Sequence, residues 1–280
     1  MKKYLIIILA LMTMITFSFN SSSIAKETIT SGKGIWINIW NYPNNPDMFL
    51  EHLRAKGINK IYLQISRSNT PAIKHPELLN RILKSAHSRN IQVIGWTYPF
   101  LKDAISDAQQ FIEAAKYISP EGESLDGMAA DIEEITNSKA IETFVKRVRG
   151  VLGSKYPLIA ITFSPLNKSN KGDPAIYAWK TIANNFDVIA PMIYWHGLVQ
   201  YRSEKGAYDY TMQTVAKIKE YTKNQNIKLH LIGDGQKTSS AEINGFLKAA
   251  SELQVDGGIS LYPWYVPQDH QIEALSNFKP

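Results

Sequence analysis

The chain has 280 residues, 44% hydrophobic and 20% charged, which is enough apolar material for a sizeable core and excludes a disordered chain. Its zero cysteines exclude disulfide staples, thiolate metal sites and a cysteine nucleophile, so any catalysis falls to oxygen or imidazole groups. The net charge of +6 suits an anionic envelope surface, but with no dense Lys/Arg run interleaved with aromatics it gives no argument for nucleic acid as a partner.

Residues 1–25 read as an export signal. Lys2 and Lys3 form a basic start, residues 4–19 are almost wholly apolar, and Ser23-Ile24-Ala25 offers small residues for cleavage. The alternative is an uncleaved anchor, although the apolar run is just short of a comfortable span. No later stretch is long and apolar enough to cross a bilayer, so no stable membrane insertion is expected once the signal is removed. Either way, the bulk of the chain is expected outside the cytoplasm. Residues 26–33 form a short polar lead-in, and 34–280 a single domain with no low-complexity linker.

From residue 34 onward one pattern repeats: a brief β-branched or aromatic run, a few turn residues, then an amphipathic stretch. The eight runs are 34–40, 60–66, 92–98, 126–133, 158–164, 187–195, 228–234 and 256–264. Helices are expected over 46–56, 76–89, 105–118, 137–152, 174–184, 211–222, 239–253 and 267–278, several with proline early or a small polar cap. Short apolar strands with little polar alternation suit a parallel sheet buried on both faces. Eight strand-helix units in about 250 residues match a (β/α)8 TIM barrel. An open doubly wound sheet is the alternative, but Trp40-Asn41-Tyr42-Pro43 is bulky where a dinucleotide fold needs glycines.

Barrel active sites lie at the C-terminal ends of the strands, so the residues closing each run form the candidate rim. They are Asn38 and Trp40, Gln64 with Ser66 and Arg67, Trp96 and Tyr98, Asp131 with Glu133 and Glu134, Ser164, Tyr194 with Trp195 and His196, Asp234, and Tyr262 with Trp264. Aromatics beside carboxylates suit a sugar cleft, because sugar faces stack on indoles while carboxylates bind hydroxyls or move protons. In the fourth run the two-residue period puts Ala129, Asp131 and Glu133 on one face and Ala130 and Ile132 on the other. Two neighbouring acids repel, which favours keeping one protonated as a general acid. The competing roles for Glu133 and Glu134 are a cap on the following helix or an ion pair.

This run, Asp126-Gly127-Met128-Ala129-Ala130-Asp131-Ile132-Glu133, resembles the D-G-x-D-x-D-x-E signature of glycoside hydrolase family 18, with Ala129 at the middle aspartate. Ala190-Pro191-Met192-Ile193-Tyr194 is similar to the family's Met-x-Tyr element, with Trp195 where an aspartate often follows. Gly257-Gly258-Ile259-Ser260-Leu261-Tyr262-Pro263-Trp264 is similar to its Gly-Gly run ending in an aromatic. The resemblance implies substrate-assisted, retaining hydrolysis next to an N-acetylhexosamine, in chitin-like glycan or peptidoglycan. In it Glu133 is the general acid, Asp131 orients the acetamido group, Tyr194 donates a hydrogen bond to its oxygen, and Trp264 or Tyr262 stacks under the sugar. Trp96, Tyr98, Trp195, Met192, Asn38, Gln64 and Asp234 are the remaining substrate-binding candidates.

Three alternatives stay open: a glycan-binding barrel without turnover, a glycosidase pairing Glu133 with Asp234, and an envelope scaffold contacting proteins. Asp234 between two glycines equally suits a turn residue bonding its own backbone. No His-Glu-x-x-His element and no Gly-x-Ser-x-Gly elbow occur, so no cofactor or catalytic metal is expected, nor serine acyl transfer.

Overall fold

Every apolar run becomes a strand and every amphipathic stretch contains a helix. The computed structural model describes residues 31–133, 137–167, 174–263 and 269–279. The expected signal segment, Glu134 and Trp264 lie outside them. The strands are β1 (Lys33–Ile37), β2 (Lys60–Arg67), β3 (Gln92–Tyr98), β4 (Gly127–Asp131), β5 (Leu158–Phe163), β6 (Val188–Ile193), β7 (Leu231–Asp234) and β8 (Ile259–Tyr262). The helices are α1 (Pro46–Ala55), α2 (Pro76–His87), α3 (Ala104–Ala115), α4 (Ser138–Leu152), α5 (Trp179–Asn185), α6 (Glu204–Thr222), α7 (Ser240–Glu252) and α8 (Asp269–Asn277). All strand pairs are parallel, and β8 returns to β1 with Lys33 opposite Ile259, which closes the sheet into a (β/α)8 barrel.

The near-continuous hydrophobicity of the strands follows from two apolar layers. Ile35, Ile37, Leu63, Met128, Ala130, Ile132 and Ile193 face outward onto the helices. Trp36, Tyr62, Ile94, Trp96, Ala129, Ile159, Ile161, Val188, Ala190 and Ile232 fill the lumen. Strand alternation thus puts Ala129 and Asp131 inside, as the period of two predicts.

The N-terminal end of the barrel is bound by polar groups that sequence inspection did not single out for it. Asp126 and Asp187 accept the backbone N–H groups of Val93 and Leu158 through Oδ2 at 2.7 and 2.9 Å. Asp126, the first acid of the fourth run, therefore lies at the opposite end of β4 from the mouth. His87 bridges Glu123 (2.5 Å) and Asp126 (3.2 Å), and its hydrogen bond to Asp126 leads the effects that push its pKa up to about 9. Deeper in the lumen, His230 meets the Gly257 carbonyl at 2.6 Å and Ser260 Oγ at 2.7 Å, while burial pushes its pKa down to about 3. Gly257 and Gly258 have a packing reason: a Cβ on Gly257 would come within 2.0 Å of the Leu229 carbonyl, and one on Gly258 within 2.2 Å of that of Gly32.

Two elements differ from expectation. The 174–184 segment is a 3-10 turn over Pro174–Ile176 followed by the short helix α5, because Tyr177 leaves the helical path to donate its hydroxyl to the Ile132 carbonyl at 2.7 Å. Helix α6 begins seven residues before the expected Thr211, at Glu204, where Ser203 accepts from the Gly206 N–H.

Candidate active site

The site begins at the end of β4. Asp131 is its last residue and Glu133 follows two residues on, so both side chains continue the inward face that starts at Ala129. The next helix takes its cap from Asn137, whose Oδ1 accepts the Ala140 N–H at 3.0 Å, so Glu133 is not used as that cap. Both acids open on a cavity of about 130 Å³ lined also by Trp36, Trp96, Ile161, Met192, Tyr194, Ile232 and Tyr262.

The floor of this cavity is rigid. Trp36 stacks on Tyr62 at 3.9 Å between ring centres and donates its indole N–H to Ser260 Oγ at 2.6 Å. Trp96 stands edge-on to Trp36 at 6.0 Å, and its indole N–H lies 3.2 Å from the carbonyls of both Ile37 and Tyr62. With both ring edges committed to the barrel, the aromatic surface facing the acids is fixed before any ligand arrives.

Tyr194 and Tyr262 form the opposite wall, stacked at 5.9 Å with an interplanar angle of 22°. Burial, followed by the neighbouring Tyr262, Asp131, Asp234 and Glu133, raises the Tyr194 hydroxyl well above the ordinary phenol range. It therefore stays a neutral hydrogen-bond donor at any physiological pH. Behind the acids, Tyr177 fixes the Ile132 carbonyl between them, and burial likewise holds its hydroxyl neutral. The sequence reading missed Tyr177, since nothing in its local pattern announces a contact with the residue that follows β4, 45 positions earlier.

A second depression of about 300 Å³ shares Tyr194 and Tyr262 with the first and continues along the β6 and β7 ends past His196, Gly197, Arg202, Asp234, Gln236 and Lys237. His196 Nδ1 sits 2.7 Å from Glu242 Oε1, the same carboxylate that closes a capping box with Ser239 at the start of α7. Asp234 belongs to this depression and not to the first. Its Oδ1 accepts the Gln236 N–H at 2.9 Å, the turn geometry that its flanking glycines suggested. Burial raises its carboxyl above the ordinary value.

The expected rim thus divides. Asp131, Glu133, Tyr194, Met192, Trp96 and Tyr262 converge on one cavity. Asn38 and Gln64 do not line it: their side-chain oxygens accept the N–H groups of Trp40 and Ile39, each at 3.0 Å, and shape the loop after β1. Tyr98 packs beside Phe100 at 5.3 Å under the Arg67 guanidinium, adjoining the lumen cluster without lining the cavity. Trp195 requires a correction. It is fully buried on the helix side of β6, stacked on Phe246 of α7 at 5.3 Å, because the residue after an inward Tyr194 must point outward.

A scan against protein-family models and a search of curated proteins both find no match to this sequence. Solved structures do match in fold. A chitinase from Rhizomucor miehei superposes with a TM-score of 0.65 at 13% identity, covering 89% of this chain and 100% of its own. The Bacillus cereus spore cortex-lytic enzyme SleL gives 0.65 at 12% identity, covering 89% and 75%. A mutant class V chitinase from Cycas revoluta, solved with (GlcNAc)3, gives 0.65 at 12% identity, covering 89% and 99%. In fold, this chain is therefore similar to the glycoside hydrolase family 18-like (β/α)8 barrels of chitinases and a spore cortex-lytic enzyme.

Proposed function

We propose that the protein is an exported glycoside hydrolase acting on glycans that contain N-acetylhexosamine, by a substrate-assisted, retaining mechanism. The observation that carries this reading is the meeting of Asp131, Glu133 and Tyr194 in one cavity floored by immobilised tryptophans. An amino sugar seated on that floor presents its glycosidic oxygen to Glu133, which protonates that oxygen so that the leaving sugar departs as a free hydroxyl. The acetamido oxygen of the substrate attacks the anomeric carbon as that bond breaks, so no protein nucleophile is needed. Asp131 orients the acetamido nitrogen and offsets the positive charge of the oxazolinium ring, and the Tyr194 hydroxyl donates to the acetamido oxygen. Water then opens the ring, giving its proton to Glu133 and restoring the starting state with retained configuration. Trp264 is assigned to stacking by the sequence resemblance alone.

The reading is tested with acetylated glucosamine oligomers and purified cell-wall glycan, with products followed by mass spectrometry. Glu133→Gln is expected to lower turnover at least about a hundredfold while oligomer binding persists. Unchanged product formation by the variant overturns the assignment of Glu133. Binding without products from the unsubstituted protein replaces the hydrolase with a glycan-binding barrel.

A further inference from the structure

The two depressions that meet at the tyrosine pair have opposite electrostatic character. On the β4 side stand Asp131 and Glu133. On the β6 and β7 side stand Arg202 and Lys237, both exposed, and neither has a carboxylate partner among the described residues. The two cations come from separately anchored loops. Arg202 follows the 3-10 turn Val199–Tyr201 and donates its Nε–H to the His196 carbonyl at 2.6 Å, which sets the guanidinium against the loop after β6. Lys237 holds left-handed backbone (φ 55°), which a side-chain-bearing residue adopts at a cost. Its neighbour Thr238 is buried and pinned by Gln271 Nε2 at 2.6 Å and by its own bond to the Asp234 carbonyl at 3.2 Å.

We infer that this second depression is a subsite for a carboxylate-bearing sugar, so that the preferred substrate is an acid-substituted amino-sugar glycan and not a neutral homopolymer. The inference rests on the proposed glycan-cleaving site, since the shared tyrosine wall makes the two depressions neighbouring positions along one bound chain. Arg202 supplies terminal N–H groups suited to a planar carboxylate, and Lys237 a mobile point charge. Asp234 faces the same space, but its Oδ1 is engaged by the Gln236 N–H, and burial disfavours its charged form. The tyrosine wall separates this pair of cations from the acids of the catalytic cavity, which would repel the same group.

The test uses three tetrasaccharides: alternating N-acetylglucosamine and N-acetylmuramic acid, the same chain with its carboxylates converted to carboxamides, and the N-acetylglucosamine tetramer. Affinities are measured calorimetrically on the Glu133→Gln protein at low and high salt. The acid chain is expected to bind about tenfold more tightly than its carboxamide at low salt, with the ratio shrinking as salt rises. Adding Arg202→Gln and Lys237→Gln together is expected to bring that ratio to about one. If the pair fails to fold, Lys237→Gln alone is expected to lower the ratio about threefold. A ratio near one in the parent, a ratio that survives the substitutions, or no binding of any chain overturns the subsite. Turnover of any of the three tetrasaccharides by the unsubstituted protein reports on the hydrolase reading separately. Turnover without acid preference sinks the subsite alone, and acid preference without turnover sinks the hydrolase alone.

Discussion

Tyr194 stands where the candidate chemistry meets, because its hydroxyl feels Asp131, Glu133 and Asp234 while its ring stacks on Tyr262. Replacing it with Phe preserves the stack and removes only the donor. On the proposed mechanism, Tyr194→Phe lowers kcat about ten- to a hundredfold with KM nearly unchanged, as steady-state kinetics would show; an unaltered kcat removes Tyr194 from the reaction. Ala129 makes the complementary point. It lies fully buried in the lumen cluster with Trp36, Trp96, Ile159 and Ile161. An acid there exchanges a methyl group for a carboxyl in apolar surroundings, so Ala129→Asp is expected to cost about 2–4 kcal/mol in urea unfolding. A loss below about 0.5 kcal/mol would mean that the lumen admits water at that depth.

At the scale of elements, the loops after β6 and β7 are joined to α7 through one carboxylate. Glu242 accepts the Ser239 N–H and meets His196, so it couples a helix start to the wall of the second depression. Glu242→Ala is expected to lower stability by about 1–2 kcal/mol and to shift the imidazole resonances of His196, measurable by thermal unfolding and NMR. The strands and the barrel were legible in the sequence because a parallel sheet covered on both faces leaves uninterrupted apolar runs. So was the inward line from Ala129 through Asp131 to Glu133, which needs only the two-residue period. The same period held the answer for Trp195, since an inward Tyr194 requires its successor to face α7. Asn38 and Gln64 were a different case: whether a rim amide meets ligand or a nearby N–H depends on loop path, which no periodicity encodes. The early start of α6 was hidden by Gly206, a poor helix former that nonetheless lies in its first turn.

For the molecule as a whole, the buried histidine opposite the mouth sets an acid limit. His230 has a folded pKa of about 3, below the unfolded value near 6.5. The unfolded chain therefore binds the extra proton, and stability present above about pH 6.5 is lost as the pH falls toward 3, by up to about 1.4 kcal/mol per unit. Urea unfolding between pH 4 and 7 should show this slope, and His230→Gln should flatten it. His87 works in the reverse sense: raised to about 9, it contributes fully below about pH 6.5 and is lost as the pH climbs through 9. His87→Gln is accordingly expected to cost about 1–2 kcal/mol at pH 6 and little at pH 10. The closing seam carries one more consequence. Lys33 of β1 donates through Nζ to the carbonyls of Ser276 and Phe278 at the end of α8, and Ser276 Oγ reaches the Lys56 carbonyl at 2.7 Å. First strand and last helix are thus already neighbours, so a short linker between them, with new ends cut at the exposed turn around Gly122 far from the mouth, should yield a circular permutant whose order of synthesis changes while its barrel does not.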